Sequence, residues 1–180
     1  MKKALKIIGI AILIIIAVPL ITALFVKKEY SVVQEVTINQ PKQIVFDYAK
    51  LLKNQDEYSV WMKMDPNVEK TYKGTDGMAG FVSAWSSKNE EVGKGEQEIL
   101  AIKDGEKINY ELRFLEPFES KSEAYMAFED LDSAKVKVQW GFKGKMDYPM
   151  NLMLLFMDME GMIGKDLQGG LNNLKDILEN

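Results

Sequence analysis

Residues 7–26 form a run of twenty residues without a charge, bracketed by Lys2, Lys3 and Lys6 on one side and Lys27 and Lys28 on the other. At about 1.5 Å per helical residue the run reaches roughly 30 Å, the thickness of a bilayer's hydrocarbon core. This predicts a single transmembrane helix that anchors whatever follows. A cleaved secretory signal has an apolar core of about 7 to 15 residues ending at a small-x-small site. This run is longer, Thr22-Ala23-Leu24 is its nearest approach to such a site, and no Cys follows. An uncleaved anchor over residues 1–28 is therefore expected, with a single domain over residues 29–180. Three Lys before the span against two after it place the domain on the extracytoplasmic side.

The composition beyond the anchor excludes several function classes. Removing the five flanking Lys from the 23 basic residues leaves 18 against 27 acids, a net charge of about −9 for the remainder. Nucleic acid, which needs a basic footprint, is disfavoured as a partner. The chain has no His and no Cys. Imidazole bases, thiolate nucleophiles and nearly all zinc chemistry are thereby removed, and no cofactor or metal is expected.

The residue pattern predicts an antiparallel sheet closed by a helix. Tyr30, Val32, Val36 and Ile38 alternate with polar residues, the period of a strand with one buried face. Asn39-Gln40-Pro41 then supplies a cap and an early proline, and two short helices are expected before Met64-Asp65-Pro66. Six strands follow, separated by Gly, Asp, Asn and Pro signals. The clearest place Ile108, Tyr110, Leu112 and Phe114 on one face and Arg113 on the other, with Ala124, Met126 and Phe128, and then Val136, Val138, Trp140 and Phe142, inward. From Leu152 to Leu178 apolar residues recur every three or four positions, which predicts one long helix, buried most deeply over Leu152 to Met157. Gly161, Gly164, Gly169 and Gly170 within it point to close approach or a bend.

The element order, together with Ile38-Asn39-Gln40-Pro41, Val45-Phe46-Asp47, Gly93-Lys94-Gly95 and Arg113-Phe114-Leu115-Glu116-Pro117-Phe118, resembles the START-related superfamily of polyketide cyclases/dehydrases and lipid-transport proteins known as SRPBCC. The resemblance covers residues 30–180. It implies an α+β helix-grip fold: a curved antiparallel sheet of about seven strands wrapped around a long C-terminal helix, with two short helices after the first strand. It also implies a mostly apolar cavity between sheet and helix. The expected wall is Trp85, Tyr110, Leu112, Phe114, Met126, Trp140 and Phe142 from the sheet and Met153, Phe156 and Met157 from the helix, although any one of these residues equally suits a filled core. Lys70, Tyr72, Ser83, Gln97 and Gln34 are the polar residues able to point inward. Trp61 and Trp85 suit an entrance.

No pair of converging carboxylates is visible, so no catalytic residue is assigned. Arg113, the only arginine, falls on the outward phase and suits a surface ion pair with Glu111 or Glu116. The expected function is binding of a hydrophobic small molecule or lipid by a membrane-tethered domain. Two alternatives stand beside it: a cyclase or dehydratase in which Lys70, Tyr72 or Tyr110 moves a proton, and a protein-interaction module using the outer strand face.

Overall fold

The computed structural model describes residues 2–180. Helix α1 (Lys2–Ala23) is the one helix among these long and apolar enough to cross a membrane, and none of its apolar window is buried against the rest of the protein. Pro19 lies within it. One turn later the Thr22 hydroxyl donates to the Val18 carbonyl at 2.8 Å.

Strand β1 (Glu29–Ile38) is followed by α2 (Lys42–Ala49), α3 (Leu52–Tyr58) and α4 (Val60–Met64). The two expected short helices are thus three. Ser59, with ψ near 129°, is extended and splits the second of them. Asn39 does not cap α2: Pro41 holds that position without a side-chain bond, and the Asn39 N–H instead donates to Glu179 Oε1 at 2.5 Å. The first N–H groups of α3 are satisfied from a distant turn. Asp76 accepts from Leu52 N at 2.8 Å and Lys53 N at 3.1 Å, placing an anion where a helix start favours one.

Strands β2 (Glu69–Lys73), β3 (Val82–Ser86), β4 (Lys94–Lys103), β5 (Lys107–Glu116), β6 (Ser120–Asp132) and β7 (Lys135–Lys145) complete a seven-stranded antiparallel sheet in the order β1-β7-β6-β5-β4-β3-β2. Side chains alternate across a strand, so each rung of the register presents one row to the interior. Gln34, Trp140, Met126 and Ile108 form one row, and Val32, Phe142, Ala124, Tyr110 and Ile99 the next. Two further rows run Leu112, Gln97, Ser83, Tyr72 and then Phe114, Gly95, Trp85, Lys70. A register shift between Ile99 and Ala101 pushes Leu100 outward.

The C-terminal helix α5 (Met159–Glu179) lies across this inner face, burying Leu167, Leu171 and Leu174. Its glycines serve close approach. A Cβ on Gly164 would stand 2.9 Å from Gln34 Nε2, and one on Gly170 would stand 2.7 Å from Trp140 Cζ3. The helix starts later than the periodicity predicts. Met150–Leu155 is a 3-10 turn, and Asp158 begins α5 by accepting from Gly161 N at 2.9 Å. Leu152 to Met157, expected to be buried most deeply, is instead largely exposed. Its neighbour Asn151 gives the reason: fully buried, it donates to the Ala23 carbonyl at 2.7 Å and the Val26 carbonyl at 3.0 Å. The segment packs on the end of α1 rather than on the sheet.

On the outer face Arg113 closes an ion-pair network, with Nε 2.5 Å from Glu96 and Nη1 2.8 Å from Glu98 and 2.5 Å from Glu111. Glu111 is the expected partner and Glu116 is not one. These contacts hold the Glu111 carboxyl below the usual carboxylate range, with the Arg113 hydrogen bond as the main cause. A depressed folded-state pKa contributes stability that is present above the unfolded value and lost as pH falls through the folded one. In Arg113→Met three carboxylates face one another with only the exposed Lys121, 3.9 Å from Glu111, left as a cation beside them. The variant is expected to unfold about 2–4 °C earlier at pH 7, for a loss of about 1 kcal/mol, and to regain stability relative to wild type as the pH falls through the carboxylate range. Thermal melts from pH 7 to pH 3 check this, and a constant deficit would contradict it.

Candidate ligand-binding site

Between the inner face of β2–β7, the short helices and α5 lies a cavity of about 220 Å³. Its apolar wall includes Trp85, Leu112, Phe114, Trp140 and Phe142, all expected from strand phase, together with Ala124 on the sheet and Ile163 and Leu167 on α5. The two lower rows of the sheet explain the concentration. Gly95 stands between Trp85 and Phe114, and a Cβ there would meet the Trp85 ring at 2.6 Å. The missing side chain lets Trp85 and Phe114 approach edge to face, with ring centroids 6.0 Å apart. The Trp85 indole N–H donates to the Val92 carbonyl at 3.1 Å, so its polar edge is satisfied and its ring faces the void.

Three of the expected polar residues, Lys70, Ser83 and Gln97, are on the cavity wall. They are joined by residues of α3 that the strand pattern does not reveal. Gln97 Nε2 donates to Gln55 Oε1 at 3.1 Å, and Lys70 Nζ pairs with Asp56 Oδ1 at 2.7 Å. Leu52, Gln55 and Asp56 line the cavity as an i, i+3, i+4 stripe on one face of α3, and Ser59 just beyond its end joins them. Asp56, Glu90 and Glu91 bring carboxylates to the wall where none was expected to converge. Asp56 is neutralised by Lys70 and also accepts from the Tyr72 hydroxyl at 2.9 Å, while Glu90 and Glu91 are exposed at the rim.

The remaining expected residues stand elsewhere. Tyr110 and Met126 are fully buried behind the cavity, in the packed core beside Tyr58, whose hydroxyl approaches Met126 Sδ at 3.6 Å. Tyr72 is 40% exposed on the edge strand β2, its ring stacked on Phe81. Met153, Phe156 and Met157 do not line the cavity because the segment carrying them leaves the sheet at Asn151; Phe156 is 82% exposed. Trp61 is on the wall, as suits an entrance residue, and packs edge-on to Trp140 at 6.4 Å. Gln34 faces α5 at Gly164 rather than the cavity.

The chemistry available is recognition more than proton transfer. Burial and the Asp56 hydrogen bond push the Tyr72 phenol up to about 12, and burial raises that of Tyr110 further. Both keep their protons at any physiological pH, and neither reaches the void. The polar patch therefore offers amide and hydroxyl groups and an internally paired charge. An apolar void of about 150 Å³ holds a benzene. A volume of 220 Å³ thus suits one or two small rings or a short length of acyl chain, and lies below the roughly 300–1,000 Å³ typical of sites for drug-sized ligands.

No protein-family model matches the sequence, and no curated protein matches it. Solved structures match the fold. A protein from Nitrosospira multiformis aligns with TM-score 0.60 at 11% identity, covering 83% of this chain and 96% of that one. The Aha1 dimer from Colwellia psychrerythraea gives 0.57 at 10% identity, covering 83% and 96%. Ara h 8.0201 gives 0.56 at 18% identity, covering 84% and 98%. At these identities the likeness is one of fold, the helix-grip arrangement of a long helix held by a curved antiparallel sheet.

Proposed function

We propose that residues 29–180 form a binding domain for a small hydrophobic molecule or a lipid chain, held against a membrane by residues 1–28. The observation that carries this reading is the cavity under α5, apolar over most of its wall, with Lys70, Ser83 and Gln97 gathered at one side to orient a polar end. The paired Lys70–Asp56 charge favours an uncharged hydroxyl, amide or carbonyl over a free carboxylate at that end. Helix α1, long and unburied, supplies the tether, and the Lys asymmetry around it favours an extracytoplasmic domain.

Residues 29–180 are a fair object for the test because the packed core cluster runs from Val32 to Leu174, and residues 1–28 contribute to the domain mainly through the carbonyls that hold Asn151 and Met146. Purified in that form, the domain is expected to bind a short-chain fluorescent fatty acid amide saturably at one site. Mass spectrometry of the denatured domain is expected to release a co-purifying apolar molecule. No saturable binding together with no co-purifying molecule would overturn the proposal.

A further inference from the structure

The strands alternate in direction from an edge strand that starts at the anchor. Because β1 leaves α1 at Glu29, the antiparallel register places the ends of β3, β5 and β7 and the starts of β2, β4 and β6 at that same end of the sheet. The turns 87–93, 117–119 and 146–158 are therefore all at the anchor end. Two of these turns supply cavity wall through Glu90, Glu91, Val92 and Pro117, and the first turns of α5 supply Ile163. The rim of the cavity thus faces the side from which α1 emerges.

That end is also where exposed apolar side chains collect. Phe118 is 73% exposed in the β5–β6 turn, and Met150, Leu155, Phe156 and Met162 are exposed around the break before α5. The position of Met150, Leu155, Phe156 and Met162 relative to α1 is fixed by the two Asn151 bonds to the Ala23 and Val26 carbonyls, by Met146 N donating to the Lys28 carbonyl at 2.8 Å, and by Lys27 pairing with Glu160 at 3.2 Å. Soluble surfaces rarely gather large apolar side chains this way. Here they lie at the end of the sheet from which α1 leaves the domain, so the surface most able to cover them is the one α1 enters.

We propose that the anchor end of the domain is an interfacial membrane-docking surface. Phe118, Met150, Leu155, Phe156 and Met162 enter the headgroup region of a bilayer and bring the cavity rim against it. The ligand then passes between bilayer and cavity without crossing open water. This rests on the reading of α1 as a membrane helix and adds that the domain itself touches the lipid. Lys27 and Lys145 are both ion-paired to acids, Lys145 with Asp147 at 2.8 Å. Lys28, Lys88 and Lys94 at this end have no such partner among the described residues, but the net charge of about −9 over residues 29–180 makes the contact apolar rather than electrostatic, and anionic lipid is not required for it.

The test exploits the absence of cysteine, which allows single labelling sites in the full chain. Phe118→Cys, Phe156→Cys, Leu131→Cys and Ile12→Cys are each labelled with an environment-sensitive fluorophore and reconstituted in phosphatidylcholine vesicles containing nitroxide lipids. Leu131 is exposed at the far end of β6, roughly 35 Å along the strand from Ser120. The expected result is quenching by shallow nitroxides at positions 118 and 156, as for groups about 5–10 Å into the interface, by deep nitroxides at position 12, and no quenching at position 131. Quenching at 12 with none at 118 and 156 would overturn the docking surface and leave the anchor intact. Loss of quenching at 12 as well would overturn both.

Discussion

Trp140→Ala is expected to lower the stability of the domain by about 3–5 kcal/mol, the range for removing a fully packed large aromatic. Trp140 is 3% exposed. It stands between Met126 and Gln34 in the sheet register, meets Tyr58 edge-on at 5.8 Å and Trp61 at 6.4 Å, and fills the groove left by Gly170 on α5. Sheet, short helices and terminal helix therefore all lose a contact at once. For a domain of this size the melting temperature should fall by roughly 6–20 °C, as read by circular dichroism on residues 29–180. Trp61→Ala, at a partly buried position on the rim, is expected to lose much less. A loss under about 1 kcal/mol for Trp140→Ala would mean that α5 is not locked to the sheet through this ring. Because Trp140 also lines the cavity, the surviving folded fraction should accept larger ligands than the wild type does.

The same residue shows what the sequence discloses and what it withholds. Strict alternation in β5, β6 and β7 identifies Tyr110, Leu112, Phe114, Met126, Trp140 and Phe142 as inward, because a pleated strand with one covered face permits no other phase. Whether an inward side chain borders a void or fills the core depends on what lies opposite. Tyr58 comes down over Met126 and closes that row, whereas no side chain closes the rows of Leu112 and Phe114. Strand periodicity carries no information on this. The α3 contribution was hidden for a different reason. Gln55 and Asp56 sit in a short polar helix where a charge ordinarily marks a solvated face, and only their spacing from Leu52 and Ser59 reveals a shared side. The segment from Met150 to Met157 misleads most, since an apolar run near an amphipathic helix reads as its buried first turns. Pro149 and Asp158, a helix starter and an N-cap, mark the true divisions. Apart from the buried Asn151, the side chains between them are apolar and mostly exposed, a state that sequence patterning reads as burial.

The cavity itself is tested most directly by filling it. Ala124 is buried between Tyr110 and Phe142 on the sheet, and its methyl group forms part of the cavity wall. Ala124→Leu adds three carbons to that wall. Burying them gains about 0.8 kcal/mol each, and crowding of Phe142 and Leu112 costs about 1–3 kcal/mol. These terms nearly cancel, so the melting temperature should stay within a few degrees of wild type. Binding should not survive: a void of 220 Å³ has little volume to spare, and the affinity for a short-chain fluorescent fatty acid amide is expected to fall at least tenfold, or about 1.4 kcal/mol. Ala124→Val, with two added carbons, should give an intermediate loss and guards against a variant that fails to fold. Undiminished binding in a stable Ala124→Leu protein would mean that the ligand sits elsewhere. Weakened binding at unchanged stability assigns it to the space between Ala124, Leu112 and α5, because nothing else in the fold changes when that space is occupied.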